Sequence, residues 1–124
     1  MEFNSNRAIY LQIAEIICDK MLTGQFKEEE RIPSVREMAV SLEVNPNTVM
    51  RTFEFLQSKD IIYNKRGIGY FVSTAGIKKA MDFRKDEFVN QELPNFFKTI
   101  SLLNIDFEAL ETMYNTYNNS QNNK

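Results

Sequence analysis

The 124-residue chain has no histidine, no tryptophan and a single cysteine, Cys18. Without histidine the usual zinc ligand sets and every catalytic triad built on an imidazole are excluded. One cysteine cannot close an intramolecular disulfide. Cys18 lies in an apolar helical stretch, where a packed thiol is the ordinary case, so it is given no redox role. No apolar run approaches the length of a bilayer span, and residues 1–7 carry neither the basic nor the apolar segment of a secretion signal. The expected location is the cytoplasm, with no membrane partner. No paired acid and base, metal-ligating cluster or phosphate loop stands out, so the chain reads as a non-enzyme with no catalytic residues, metal ligands or cofactor.

Positive charge is scarce as well. The net charge is −2, and residues 1–72 hold nine Lys+Arg against ten Asp+Glu. A surface that meets nucleic acid would therefore have to be positive locally, which is all that phosphate contact requires. What is present is ordinary globular material, 43% hydrophobic and 26% charged, enough for one domain with a short appendage.

Ile9, Ile13, Ile16, Ile17 and Met21 recur at helical spacing until Gly24, which predicts a first helix over residues 7–23. After the charged residues 27–31, Pro33 precedes Ser34-Val35-Arg36-Glu37, where serine and a glutamate three positions later can cap each other's backbone. The second helix that starts there buries Val35, Met38, Ala39 and Leu42 and leaves Arg36 off the apolar stripe. Glu43 and Val44 separate it from Asn45-Pro46, an N-cap followed by proline at the first helical position. On the third helix Val49, Phe53 and Leu56 share one face, while Asn47, Thr48 and Arg51 fall within about 100° of arc elsewhere.

Ile61-Ile62-Tyr63 and Tyr70-Phe71-Val72 are β-prone runs joined by Asn64-Lys65-Arg66-Gly67-Ile68-Gly69, a hairpin with a basic tip. Helix, short helix, three-residue turn, helix and hairpin form the order of a winged helix-turn-helix. Phe55 fits neither face of the third helix and is expected to pack beneath this wing. From residue 74 the pattern is helical again. Ile77, Met81 and Phe88 are followed by Leu93, Phe96, Phe97, Ile100 and Leu103, and Pro94 is expected to kink or divide the stretch. Asp106 can cap a last helix, with Ile105 and Leu110 as a staple and Phe107, Leu110, Met113, Tyr114 and Tyr117 on its apolar side. The expected class is mostly α with a small β-hairpin. Residues 1–73 would form the winged helix-turn-helix, 74–117 a C-terminal helical dimerisation tail, and the polar residues 118–124 a disordered end.

A helix with such a polar head reads DNA by placing its first residues against base edges in the major groove, while neighbouring groups hold phosphates. Asparagine can pair twice with adenine, a threonine methyl can touch a thymine methyl, and arginine can reach guanine or phosphate, so Asn47, Thr48 and Arg51 are the candidate readers. Arg36 and Ser34 are placed for the phosphate backbone, with Asn45 a cap at the edge of the same surface. In the hairpin, Lys65 and Arg66 can meet phosphates or the minor groove, and Gly67 and Gly69 let the backbone turn close to the duplex. Two other readings compete. A winged module for protein or RNA would carry an apolar recognition face, and an enzyme would need more than Gly67-Ile68-Gly69 as a nucleotide signal.

Three ordered blocks, residues 31–39 (RIPSVREMA), 44–49 (VNPNTV) and 67–72 (GIGYFV), resemble the GntR family of bacterial regulators, and Tyr10-Leu11-Gln12-Ile13 resembles its opening helix. The resemblance covers about residues 7–72 and implies a repressor-type dimer on a near-palindromic operator, with Arg36, Asn47, Thr48 and Gly67 at matching positions. Two departures stand out. Glu28-Glu29 occupies the place of a frequent Pro-Gly turn, and Asp60 the place of a usual glycine before the wing. Pro46 and Met50 stand where many relatives carry arginine, so their base preference does not transfer. The Asn-Pro-Asn-Thr-Val head and the short tail resemble the small YtrA-like branch, which implies dimerisation through the tail, here by Phe88, Phe96, Phe97, Ile100, Leu103, Leu110 and Tyr114. No ligand-binding domain remains once these parts are counted, and no small-molecule effector is assigned.

Overall fold

A computed structural model describes residues 7–122. The reading of residues 1–6 as lacking a secretion signal, and residues 123–124 of the polar tail, fall outside the described residues. The chain forms two compact units, the first ending at Lys85 and the second beginning at Asp86.

In the first unit, helices α1 (Ile9–Leu22), α2 (Val35–Leu42) and α3 (Pro46–Ser58) precede strands β1 (Ile62–Lys65) and β2 (Gly69–Val72) and helix α4 (Gly76–Glu87). The core is the set that helical spacing selects. Ile13, Ile17 and Met21 of α1, Met38 and Leu42 of α2, and Val49, Phe53 and Leu56 of α3 are buried together, closed by Ile61, Ile62 and Val72 at the hairpin. Two polar side chains among the described residues are buried with it: Gln12, donating to the Arg7 carbonyl, and fully enclosed Thr52, whose hydroxyl donates to the Tyr10 carbonyl at 2.8 Å. The Ser34 capping box starts α2, and Glu43, in left-handed backbone at φ 56°, ends it. Asn45 then caps α3 with Pro46 at the helix start.

β1 and β2 pair antiparallel from Ile62 opposite Val72 to Lys65 opposite Gly69. An extended segment flanks β2 on its other side, with Ile32 N–H donating to Tyr70 O at 2.9 Å and Val72 N–H to Glu30 O at 3.1 Å. β2 is thus bonded on both sides, a support that a lone two-stranded hairpin lacks.

Helix α4 belongs in large part to this unit, which runs past the boundary expected at residue 73. Ala80 is in the core and Phe83 packs on it. Arg84 pairs with Asp19 at 2.7 Å and with Glu15 at 3.3 Å, and Arg7 also bonds Glu15. Phe55 corrects an expectation here. Instead of lying beneath the wing, its ring meets Tyr10 of α1 at 5.9 Å and Phe83 of α4 at 5.4 Å, both edge-on. One turn beyond Arg51, that side of α3 faces two helices.

The second unit holds a π-helical turn, Phe88–Glu92, then α5 (Leu93–Leu102) and α6 (Phe107–Asn122). Pro94 lies in the first turn of α5 directly after the π turn; Glu92 and Leu93 keep right-handed helical backbone, so the stretch is not divided there and the irregularity is the π turn. Asp106 caps α6 by accepting from Ala109 N–H at 2.8 Å. The end expected to be disordered from residue 118 is helical through Asn122: once α6 is nucleated, each added residue gains a backbone bond. Ile100 is buried, whereas Phe96, Phe97, Leu103, Phe107, Tyr114 and Tyr117 stay exposed.

The two departures noted in the sequence have one backbone explanation. Glu29 and Asp60 both adopt left-handed conformations, φ 63° and 58°, where glycine is strain-free. Glu29 offsets its strain by accepting from Tyr63 Oη at 2.7 Å and Thr74 Oγ1 at 2.6 Å. Among the described residues Asp60 has only an exposed pair with Lys79 at 3.5 Å, of little worth in water. Asp60→Gly should therefore stabilise the protein by about 0.5–1 kcal/mol in a denaturant melt, and Glu29→Gly should give no gain. Equal gains at both positions would remove the role given to the Glu29 bonds.

Candidate nucleic-acid interface

The residues singled out for DNA contact occupy three places: the first turn of α2, the head of α3 and the wing. At α2, Ser34 Oγ accepts from Glu37 N–H at 3.1 Å while Ser34 N–H donates to Glu37 Oε1 at 2.9 Å. Both groups of Ser34 are thus engaged in capping, and Arg36 projects into solvent from the turn they fix. At α3, Asn45 Oδ1 accepts from Asn47 N–H at 2.8 Å, so Asn45 also serves as a cap. Asn47 and Arg51 are exposed and Thr48 half-buried. The three line a hollow of about 310 Å³ whose other wall is Ala8, Ile9 and Tyr10 at the start of α1.

In the wing, Lys65 lies over the Phe71 ring, 4.8 Å from its centroid, and Phe71 in turn stacks on Tyr63. Arg66 and Gly67 form the exposed tip. Gly69 has a structural use: at φ 143° it pairs with Lys65, and an added Cβ would come 2.7 Å from Arg31 Nε. The Arg31 side chain runs across that gap, its guanidinium 4.0 Å from the Glu37 carboxylate, and so links the base of the wing to the first turn of α2. Sequence reasoning does not single out Arg31, because its partners are fixed only once the wing folds back. Tyr10 escapes it for the same reason, being far along the chain from the α3 residues it meets.

Arg7, Arg31, Lys78, Lys79 and Arg84 each have a carboxylate partner. Among the described residues, no carboxylate pairs with Arg36, Arg51, Lys65 or Arg66. Among the described cations, Lys20, Lys27, Lys59, Lys85 and Lys98 have no carboxylate pair either, so what distinguishes the interface cations is their place and not the lack of a partner. Glu15 and Asp19 are engaged against α4, whereas Glu29, hydrogen-bonded to Tyr63 and near Lys65, and Glu37, in the capping box beside Arg36, lie next to the contact places themselves. Hydrogen bonds from Thr74 and Tyr63 hold the Glu29 carboxyl below its ordinary value, and donating that bond raises the Tyr63 phenol. The Ser34 backbone N–H, then its hydroxyl, lowers Glu37. Cys18 is fully buried, and burial pushes its thiol up to about 12, which leaves it protonated and unreactive. Among the described residues no acidic, cysteine or histidine cluster could hold a metal, and no helix is long and apolar enough to cross a membrane.

Three packed helices, a tight turn between the second and third, and a pinned hairpin define a winged helix-turn-helix. Residues 9–72 match the family described as bacterial regulatory proteins, gntR family, and the chain belongs to it. It is 33% identical over 109 residues to the HTH-type transcriptional regulator YhcF of Bacillus subtilis, covering 88% of each chain. It is 38% identical over 69 residues to the HTH-type transcriptional repressor YtrA of the same organism, covering 56% of this chain and 53% of that one. The crystal structure of a GntR-family regulator from Bacteroides thetaiotaomicron superposes with TM-score 0.72 at 49% identity, over 92% of this chain and 99% of the other. The protein is a DNA-binding transcriptional regulator and not an enzyme.

The capping box makes α2 sensitive to acid. Because its folded value is lowered, Glu37 contributes stability that is present above the ordinary carboxylate value of 4.5 and lost as pH falls through the lowered one. Ser34→Ala should cost about 1 kcal/mol at neutral pH. Melting temperatures from about pH 6 to about pH 3 should fall less steeply for Glu37→Gln, which still caps but does not titrate, than for the wild type. Parallel curves would show that Glu37 carries none of the acid response.

Proposed function

We propose that the protein is a cytoplasmic repressor that binds a near-palindromic operator as a homodimer. Asn47, Thr48 and Arg51 read base edges. Arg36 and the capped turns of Ser34 and Asn45 set the register on phosphates. Lys65, Arg66, Gly67 and Gly69 bring the wing against the backbone. The observation that carries this reading is placement: Arg36, Arg51, Lys65 and Arg66 are exposed cations at the three expected contact places, and none forms a salt bridge among the described residues. An overall net charge of −2 is then no obstacle to binding. The relative YtrA of Bacillus subtilis, a transcriptional repressor by name, supports the sign of regulation.

Dimerisation is supported by the second unit taken alone. Phe96, Phe107, Leu110, Met113, Tyr114 and Tyr117 line an open groove of about 570 Å³. Phe107, Tyr114 and Tyr117 remain 60% or more exposed. A contiguous apolar surface of this kind on a small helical unit calls for a cover, and a second copy with the same groove supplies one by twofold symmetry. Of the residues expected to dimerise, Ile100 is buried and acts in packing, while Phe88, Phe96, Phe97 and Leu103 are exposed and Leu110 is half-buried.

Fluorescence anisotropy against duplexes that the protein enriches from a randomised pool, with scrambled controls, tests the reading. Arg51→Ala should cost about 1–3 kcal/mol and relax specificity, whereas Arg36→Ala should weaken all duplexes alike with a shallower salt slope. Equal binding to enriched and scrambled duplexes would instead favour a protein- or RNA-binding winged module. By light scattering, the wild type should show twice the 14.5 kDa chain mass and Tyr114→Asp a lower one. A monomeric wild type that still binds its duplex tightly would remove the dimer from the proposal.

A further inference from the structure

We infer that Tyr10 is a positioning residue for DNA recognition, presenting the guanidinium of Arg51 to the base edges as a preformed, face-stacked group. The inference rests on the reading of Arg51 as a base reader. The guanidinium carbon of Arg51 lies over the Tyr10 ring, 4.0 Å from its centroid. At that distance the two planar groups are in van der Waals contact, an arrangement favoured by the ring's negative face and by the weak hydration of a guanidinium. A guanidinium lying flat on the ring at that distance uses its face in the contact and leaves its in-plane N–H groups at the edge. Those are the donors that form two parallel bonds to guanine or to phosphate.

The platform is itself fixed. Tyr10 meets the Phe55 ring edge-on, Phe55 meets Phe83 of α4 likewise, and the Tyr10 carbonyl accepts the buried hydroxyl of Thr52, the residue after Arg51. The ring and the arginine are therefore set by the same contact between α1 and α3. Tyr10, Asn47, Thr48 and Arg51 all line one hollow, so the stacked arginine stands beside the other two readers. A long side chain held this way loses little freedom on binding, which favours correctly matched DNA over a general attraction to phosphate. The role of Tyr10 is thus through Arg51, and no contact of its own hydroxyl with DNA is required.

A double-mutant cycle on the full chain tests this, using a duplex that the wild type enriches from a randomised pool and a scrambled duplex of equal length. Tyr10→Phe keeps the ring and should bind both within about twofold of wild type. Tyr10→Leu should weaken the enriched duplex roughly fivefold or more and leave the scrambled one within about twofold. Combined with Arg51→Ala, it should weaken binding no further than Arg51→Ala alone. Multiplying losses in the double variant, equal losses for both duplexes, or a Tyr10→Phe loss as large as that of Tyr10→Leu would each overturn the inference. If Arg51→Ala binds both duplexes like wild type, the base-reading role fails and the inference fails with it. If only Tyr10→Leu is silent, the role of Arg51 stands and that of Tyr10 falls. Should Tyr10→Leu not fold, the wild-type NMR spectrum decides: the Arg51 side-chain protons should be shifted upfield by the ring current of Tyr10, in Tyr10→Phe as well, and unshifted resonances overturn the stack.

Discussion

The angular setting of α3 rests on one buried hydroxyl. Thr52 is fully buried in a largely apolar core, and its proton goes to the Tyr10 carbonyl at 2.8 Å, with the Thr48 carbonyl 3.2 Å away as a second acceptor. Rolling α3 on α1 would strand that polar group away from water, at a cost of about 1–3 kcal/mol, while sliding Val49, Phe53 and Leu56 out of their packing. Apolar contact alone tolerates some rotation, because it lacks direction. The hydrogen bond does not. With α3 fixed, Asn47, Thr48 and Arg51 face the hollow beside α1, and everything proposed about base reading depends on that orientation.

Charge follows a similar logic of place. Four acidic side chains of the first unit, Glu15, Asp19, Glu29 and Glu37, perform internal tasks, tying α4 to α1, anchoring the wing and closing the α2 capping box. Of these contacts, only the Arg84 pairs with Glu15 and Asp19 offset charge directly, since the neutral donors on Glu29 and Glu37 leave those carboxylates ionised. Local sorting, and not the sum over the chain, determines whether phosphate is attracted.

Much of this architecture is legible in the sequence because it is written in local spacing. Helical periodicity of Ile13, Ile17, Val49, Phe53 and Leu56 yields the core, and Ser34-x-x-Glu37 and Asn45-Pro46 mark two helix starts that the structure contains. What is illegible depends on contacts between distant residues. Phe55 has the same chemistry whether it lies under a wing or between two helices, and only the packing of α4 decides. The seating of α4 in the first unit turns on Ala80 and on ion pairs of Arg84 with residues more than sixty positions earlier. Arg31 and Tyr10 escape notice as parts of the interface on the same account. The left-handed backbone of Glu29 and Asp60, by contrast, is hinted at by their standing where relatives use glycine, although the direction of the backbone itself is not encoded in either side chain.

The solitary thiol has a practical meaning that comes from its burial. Cys18 sits in the middle of the packed helices with no path for a reagent, and protonation keeps it inert at neutral pH. As long as the chain stays folded this sulfur is shielded from oxidants in the surroundings, so oxidative chemistry falls on the exposed methionines Met50, Met81 and Met113 instead. The same sulfur becomes reactive the moment the helices part, and the rate at which a small electrophile labels it is a clock for the spontaneous opening of the winged helix.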